Sequence, residues 1–400
     1  DLAGGFPLCA IRRFPEALAN VRGRPVQYSY GPRCGDCAMR ERCTGVNPVT
    51  REVHGEFSEH PFDRIPPVLS RNKNPEPIMM LSSGLPSYRF GEGDKAEIRL
   101  VMPCNQSCTF CFVNREAPNA SAEELEHAVD QAIEHGARAV VFTGGEPTLS
   151  RHLEPLLARA RDAGIPCRGI QTNALILADP ERAKALIDAG LNHAHVSLHD
   201  HDPTRYLAIS GFGTPEEAAR GARNLLDEGV EVSVSLVINQ VNVDHLPETL
   251  TFISSELPGA RVLLSVAREQ IGLPRPWDET LVRYDRAGAA IGTALQHANE
   301  THVALELAGS CCVPPCVVPP AAFEAHPEIF LTGHRTMEWR DVSDGEGAVV
   351  NAVQNTFAPQ CQGCGLRERC PGINRAYLAR HGTAEFTPVA AERISVVEEA

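Results

Sequence analysis

The chain has 400 residues, 43% of them hydrophobic, and a net charge of −14 from 37 Lys+Arg against 51 Asp+Glu. That length allows one large domain with a smaller one, or two to three medium ones, around a sizeable core. The acidic balance argues against nucleic acid as the main partner, because phosphate binding wants clustered Lys and Arg. No stretch approaches the roughly 20 apolar residues of a membrane span, and none reads as a signal peptide.

The chain opens on Asp1 rather than Met, which leaves room for earlier residues. It holds 14 cysteines, most of them in three short runs. Disulfide frameworks belong to short secreted chains, so these runs read as metal ligands in a reducing cytoplasm.

Residues 1–95 show little periodicity. They contain Cys9 and then Cys34-Gly-Asp-Cys37-Ala-Met-Arg-Glu-Arg-Cys43-Thr-Gly-Val-Asn47. The run Cys361-Gln-Gly-Cys364-Gly-Leu-Arg-Glu-Arg-Cys370-Pro-Gly-Ile-Asn374 near the other end repeats that pattern. The repeat extends upstream, where Cys9 aligns with Cys316, and downstream, where His54-Gly-Glu-Phe57 aligns with His381 to Phe386. Each end therefore offers one cysteine, a gap, and C-x2-C-x5-C. Cys311 and Cys312 are alternatives to Cys316, but only Cys316 aligns with Cys9. Structural zinc is the competing account, because four-cysteine zinc sites also use C-x2-C pairs.

Residues 96–308 alternate strand and helix patterns, the mark of a parallel α/β sheet or barrel. Strands are predicted at Glu97–Met102, Arg138–Thr143, Arg168–Thr172, His193–Leu198, Val230–Asn239 and Arg261–Val266, with His302–Leu307 a candidate further strand. Helices are predicted at Ser121–His135 with a Ser121/Glu124 capping box, His152–Ala163, Pro180–Ala189, from Thr214 with Pro at N1, Leu246–Glu256 and Glu279–Ala298. Six strand–helix units fall short of the eight of a closed barrel. The fold class expected is α/β, a partial (β/α)6 TIM-like barrel with cysteine-rich modules at both ends. Residues 309–400 form the C-terminal module, with a hairpin over 340–357 turning at Asp344-Gly345.

The first strand runs into Cys104-Asn-Gln-Ser-Cys108-Thr-Phe110-Cys111. Thiolates at this density ligate iron–sulfur clusters or zinc. A four-iron cubane takes four ligands and this run supplies three, leaving one iron open; zinc would want a fourth Cys or His nearby. In α/β barrels function collects at the carboxyl ends of the strands. Strand two ends in Gly144-Gly145-Glu146-Pro147, where the glycines let backbone approach a ligand and Glu146 is placed to take an ammonium. Strand three ends in Thr172-Asn173-Ala174. Period two puts His193, His195, Ser197 and His199 on one face of strand four, toward the lumen. Glu231, Ser233, Ser235 and Asn239 do the same on strand five. Arg205 is a candidate partner for a carboxylate, and Arg268 and Glu269 are candidate pocket charges. Cys167 reads as a buried apolar residue.

C-x3-C-x-aromatic-C after a first strand, followed by GGEP, resembles the radical S-adenosylmethionine (SAM) superfamily over about 97–270. The resemblance implies that Cys104, Cys108 and Cys111 hold a [4Fe-4S] cluster whose open iron binds SAM. It further implies that Phe110, Gly144, Gly145, Glu146, Pro147, Asn173, Ser197, His199 and Asn239 contact SAM; His199 stands where many relatives have Asp. Over 307–386 the chain resembles the auxiliary-cluster modules of the SPASM and twitch subfamilies. That implies two further [4Fe-4S] clusters, three in all, one on Cys316, Cys361, Cys364 and Cys370 and one on Cys9, Cys34, Cys37 and Cys43. Asn374 and Asn47 stand where SPASM relatives carry a further cysteine, which favours one cluster per module. The activity implied is reductive SAM cleavage and hydrogen abstraction, in an oxidoreductase fed by a flavodoxin or ferredoxin. The substrate implied first is a ribosomally made peptide; the alternative is a small molecule, dehydrogenated or rearranged. A non-catalytic cluster- or zinc-bearing scaffold is the reading from another class.

Overall fold

The structure, a computed structural model, describes residues 95–111, 113, 115, 119–134, 136–268, 277–307, 313–330, 338–341, 348–351 and 355–390. The expected ligands Cys9, Cys34, Cys37 and Cys43, together with Glu269, Cys311, Cys312 and the Asp344-Gly345 turn, lie outside the described residues.

The described chain opens with β1 (Lys95–Val101), α1 (Ala122–Glu134), β2 (Ala139–Gly144), α2 (Leu153–Asp162), β3 (Cys167–Thr172), α3 (Pro180–Ala189) and β4 (His193–Ser197). Two helices follow, α4 (Pro203–Ser210) and α5 (Pro215–Asp227), then β5 (Glu231–Ile238), α6 (Leu246–Glu256), β6 (Arg261–Val266), α7 (Tyr284–Thr301) and β7 (Leu305–Leu307). The helix starts are set by local chemistry. Ser121 and Glu124 exchange capping hydrogen bonds at 3.2 and 2.7 Å, and Thr214 and Glu217 form the same box ahead of α5, each satisfying two orphan donors.

The seven strands lie parallel in one sheet in sequence order, with β1 and β7 at its edges. The sheet is open, as a partial barrel requires. The candidate strand at His302–Leu307 is real but short. α4 was not expected, and the expected start of α7 at Glu279 moves to Tyr284.

Sidedness follows the alternation of residue types. Ile98, Phe142, Ile170, Val196, Val234 and Leu264 are all at most 2% exposed and pack against the helices. The other face is polar. Along one register row Arg99 pairs with Thr143, Gln171 with His195, His195 with Ser233, and Ser233 with Arg261. His195 Nδ1 lies 2.8 Å from Ser233 Oγ. At the amino end of this face His193 Nε2 lies 3.0 Å from Glu231, which also takes Arg261 at 2.7 Å. His193 is thus a hydrogen-bonded structural residue, far from the strand carboxyl ends.

Beyond β7, strands β8 (Glu338–Asp341) and β9 (Ala348–Asn351) form the expected antiparallel hairpin, two residues earlier than predicted at its start. β10 (Asn355–Thr356) pairs with β11 (Ile373–Asn374), and α8 (Arg375–His381) follows. Tyr377 of α8 fastens this region to α7. Its ring stacks on Tyr284 at 3.7 Å, and its hydroxyl accepts from Tyr284 N and donates to Glu385 Oε1, both at 2.7 Å. No helix among the described residues is long and apolar enough to cross a membrane.

Candidate functional site

The Cys104–Cys111 loop leaves the carboxyl end of β1 and is hung from α4 by backbone. Ser107 N donates to Ser210 O at 2.8 Å and Thr109 N to Ile209 O at 3.0 Å. Gln106, only 3% exposed, donates to Tyr206 Oη at 2.9 Å and to Phe212 O at 3.1 Å. Tyr206 and Gln106 are therefore supports that sequence reasoning missed. A signal was available: Asp202-Pro203 is an N-cap followed by Pro at N1, and Gly211 is a C-cap.

The three thiols are half-buried and act on one another. Burial, with negative charge on Cys111 and Cys104 acting in the same direction, pushes the Cys108 thiol up to about 12. Burial also raises Cys104, opposed by the amide of Gln106 and the cation of Arg115. Sulfurs in this state hold their protons until a cationic metal centre displaces them.

The glycines of the GGEP turn serve a purpose other than the one expected. A Cβ on Gly145 would meet Pro103 O at 2.0 Å and Met102 O at 2.3 Å; one on Gly144, whose φ is +136°, would meet Val101 O at 2.1 Å. The segment leading into the cysteine loop lies directly on the glycines. Gly145 N donates to Val101 O and Glu146 N to Pro103 O. The turn and the loop are one packed unit.

Glu146 is 1% exposed and committed to its own chain. Its Oε1 accepts from Thr148 N at 3.1 Å, Thr148 Oγ1 at 2.7 Å and Thr172 Oγ1 at 2.7 Å, and its Oε2 from Asn173 N at 2.8 Å. Burial raises its pKa and these four donors pull against that. A bare buried carboxylate is untenable, whereas hydrogen bonds to a charged group contribute about 1.5–3 kcal/mol each. Glu146 clamps the ends of β2 and β3 together, with Pro147 opening the turn beside it. Oε1 takes three of these donors and Oε2 one, so Oε2 is the oxygen left with acceptor capacity.

Asn173 continues the clamp, donating to Asn105 Oδ1 at 2.6 Å and lying 3.9 Å from Cys104 Sγ. His199 is 3% exposed; Val237 N donates to its Nδ1 at 3.2 Å, and its ring meets Phe110 edge-on at 4.9 Å. Burial pulls its pKa down to about 4, so it is a neutral wedge between loop and β5. Ser197 sits at the carboxyl end of β4 opposite Ser235. Asn239 is 1% exposed and shapes the turn after β5, accepting from Val241 N at 2.9 Å and donating to Val237 O at 3.0 Å. Arg205 is held bidentate by Asp200 at 2.9 Å. The structure thus gathers Cys104, Cys108, Cys111, Phe110, Asn173, Glu146 and His199, but turns Asn239 and Arg205 to structural work.

A second thiol group lies in the C-terminal region. Cys316, Cys361, Cys364 and Cys370 all line one small pocket, partly open to solvent and otherwise walled by residues such as Leu366, Ile373, Phe386 and Val389. Gly372 N donates to Cys370 Sγ at 3.3 Å and Val389 N to Cys364 Sγ at 3.4 Å. A 3₁₀ turn at Pro315–Val317 presents Cys316. It rests on α7 at Gly288, where a Cβ would meet Val317 O at 2.2 Å. Asn374 carries no left-handed backbone; at φ −56° it caps α8, accepting from Tyr377 N at 3.1 Å. Gly372 does take a left-handed φ of +81°.

Residues 102–253 match the Radical SAM superfamily model. The chain carries a radical SAM domain. The match spans the cysteine loop and the GGEP turn and ends in α6. Over 168 residues the chain is 30% identical to the Probable GTP 3′,8-cyclase of Sulfolobus acidocaldarius, covering 41% of this chain and 53% of that protein. Over 183 residues it is 30% identical to the Fe-coproporphyrin III synthase of Methanosarcina barkeri, covering 44% and 45%. The chain spans about half the length of the curated relatives it matches. The solved structure of anSMEcpe with bound AdoMet and Kp18Cys peptide shares the fold of the radical SAM domain, with a TM-score of 0.53 at 13% identity, over 76% of this chain and all of that one.

Proposed function

We propose that the chain is a radical SAM enzyme divided at 96–308 and 309–400 into a catalytic partial barrel and a second cluster-bearing module, with a like module over 1–95. The observation that carries the reading is the three-thiol loop packed on the GGEP turn at the carboxyl end of a parallel sheet. The donor set fits the group: three thiols from one short loop, close enough to raise one another's pKa, as the Cys108 thiol shows. When bound, a four-iron cluster with one open iron and SAM supply a 5′-deoxyadenosyl radical, after one-electron reductive cleavage, that removes a hydrogen atom from the substrate.

The chain's own residues set the conditions. Cys104, Cys108 and Cys111 hold the cluster, and the α4 hydrogen bonds fix where it stands. Asn173 and Glu146 lock the rim of β2 and β3 against the loop, leaving Ser197 at the carboxyl end of β4 to face SAM. Phe110, braced by neutral His199, shields one side of the site. The face of the sheet that carries His195, Ser233 and Gln171 is the one on which substrate is expected, beside the open edges of the sheet. A flavodoxin or ferredoxin is the electron donor we expect.

For the substrate we favour a ribosomally made peptide, because an open-sided polar face accommodates an extended chain with its backbone donors and acceptors. The second reading, a small-molecule substrate, is favoured by the curated relatives named for GTP and for Fe-coproporphyrin III. The test is anaerobic reconstitution with iron and sulfide, then dithionite and SAM, with 5′-deoxyadenosine measured. An enzyme forms it; a scaffold leaves SAM intact. A panel of short peptides and nucleotides, scored by stimulated 5′-deoxyadenosine formation, separates the two substrate classes.

A further inference from the structure

Among the described residues, the four-cysteine cavity has one charged side chain in its wall. Arg367 lines it together with Phe357, and both side chains are also exposed, so they stand where the cavity opens to solvent. The Arg367 guanidinium carbon lies 4.9 Å from the centre of the Phe357 ring. Arg367 N donates to Cys364 O at 3.2 Å, which ties the arginine to the turn that carries a ligand. Its neighbours Glu368 and Arg369 do not line the cavity. The same position recurs in the other cysteine run: Arg367-Glu-Arg-Cys370 corresponds to Arg40-Glu-Arg-Cys43.

We propose that Arg367, held over the cavity mouth by Phe357, sets the reduction potential of the cluster bound by Cys316, Cys361, Cys364 and Cys370. This rests on reading the cavity as a cluster site. Four thiolates outweigh the charge of a four-iron core, so the occupied site is anionic and becomes more so when it takes up an electron. Its remaining wall is apolar and screens charge poorly, so one cation at the mouth offsets much of that added charge. Arginine suits the task because it stays charged at any working pH and lies flat on an aromatic ring. The backbone N–H groups on Cys364 and Cys370 act in the same direction, but they are fixed by the fold. Arg367 is the adjustable contribution.

The experiment uses the full-length, reconstituted chain carrying Cys104→Ala, Cys108→Ala and Cys111→Ala. Its cluster signals are followed by electron paramagnetic resonance during titration with dithionite, which supplies the electron. The signal belonging to this cavity is the one lost on adding Cys361→Ala and Cys364→Ala. Arg367→Gln should lower its midpoint so that about tenfold less cluster is reduced at the same applied potential, a shift of about 59 mV for one electron. Arg367→Lys should recover part of the shift, since it keeps the charge but loses the stack. Phe357→Leu should shift the midpoint the same way by less. Unchanged midpoint in Arg367→Gln, at wild-type iron content, overturns the proposal. If Cys361→Ala with Cys364→Ala leaves iron content and signals unaltered, no cluster occupies the cavity. The underlying reading then falls together with this inference.

Discussion

The two thiol groups of the described chain are built in opposite ways. The Cys104–Cys111 loop takes three thiols from one contiguous stretch and sits among amides and a buried carboxylate: Asn105, Gln106, Asn173 and Glu146. The Cys316 cavity takes three thiols from the 361–370 run and a fourth, Cys316, from 45 residues upstream of it, and walls them mostly with aliphatic and aromatic groups. Three ligands amid polar neighbours leave a coordination position and hydrogen-bonding partners for an incoming molecule. Four ligands in an apolar wall leave neither. On the function proposed above, ligand count and surroundings agree: the first site is suited to bind and react, the second to hold and exchange charge.

The comparison breaks most sharply at the ligands. Replacing Cys104, Cys108 and Cys111 together with Ala should abolish 5′-deoxyadenosine formation, while the iron bound by the second site persists. Formation at the wild-type rate would sink the assignment. A matched pair of glycine substitutions comes next. Gly145→Ala drives a methyl into Pro103 O and should strip iron from the first site; Gly288→Ala drives one into Val317 O and should strip it from the second. Overpacking costs roughly 1–3 kcal/mol where neighbours yield, and backbone yields poorly. Iron counted in each variant, with the ligand variants as references, checks that each loss is confined to its own site.

A smaller effect is expected from acid. His199 has a folded pKa of about 4, below the ordinary 6.5. The unfolded chain therefore binds the extra proton first, and stability rises with pH across that window. The contribution is fully present above about 6.5 and lost as pH falls toward 4, amounting to at most about 3 kcal/mol. Apo-protein melting measured from pH 7 to 4 should show this slope, and His199→Gln should flatten it. The smallest change is Thr172→Val, which removes one hydroxyl donor from Glu146 and should cost on the order of 1–2 kcal/mol in denaturant melts, with Glu146 still buried.

Much of this was legible in residue order. Alternation of Val, Leu and Ile with Ser and His gave β4 and β5 their two faces, and capping boxes at Ser121 and Thr214 marked helix starts to within a residue. Internal repetition alone singled out Cys316, and it lines the cavity; the alternatives Cys311 and Cys312 lie outside the described residues. What the order of residues did not disclose were partnerships across distance. Nothing in GGEP says that Val101 to Pro103 will lie on its glycines, or that Glu146 will be consumed by Thr148, Thr172 and Asn173. Asn239 read as a free polar group because its partners, Val237 and Val241, are backbone atoms of its own turn. α4 was passed over because its eight residues, Pro203–Ser210, are too few for periodicity to register, although its caps were in plain view.

The suspension of the cysteine loop from α4 has a consequence for engineering. The two bonds that fix it, from Ser107 N to Ser210 O and from Thr109 N to Ile209 O, use only main-chain atoms. The side chain at 109 donates neither bond, whereas Ser107 packs against Gly211, on which a Cβ would meet Ser107 Oγ at 2.0 Å. A library at position 109 should keep the cluster while varying what stands beside it, whereas Gln106, whose amide reaches Tyr206 and Phe212, should tolerate almost nothing. The loop is in effect an interchangeable facing on a fixed mount.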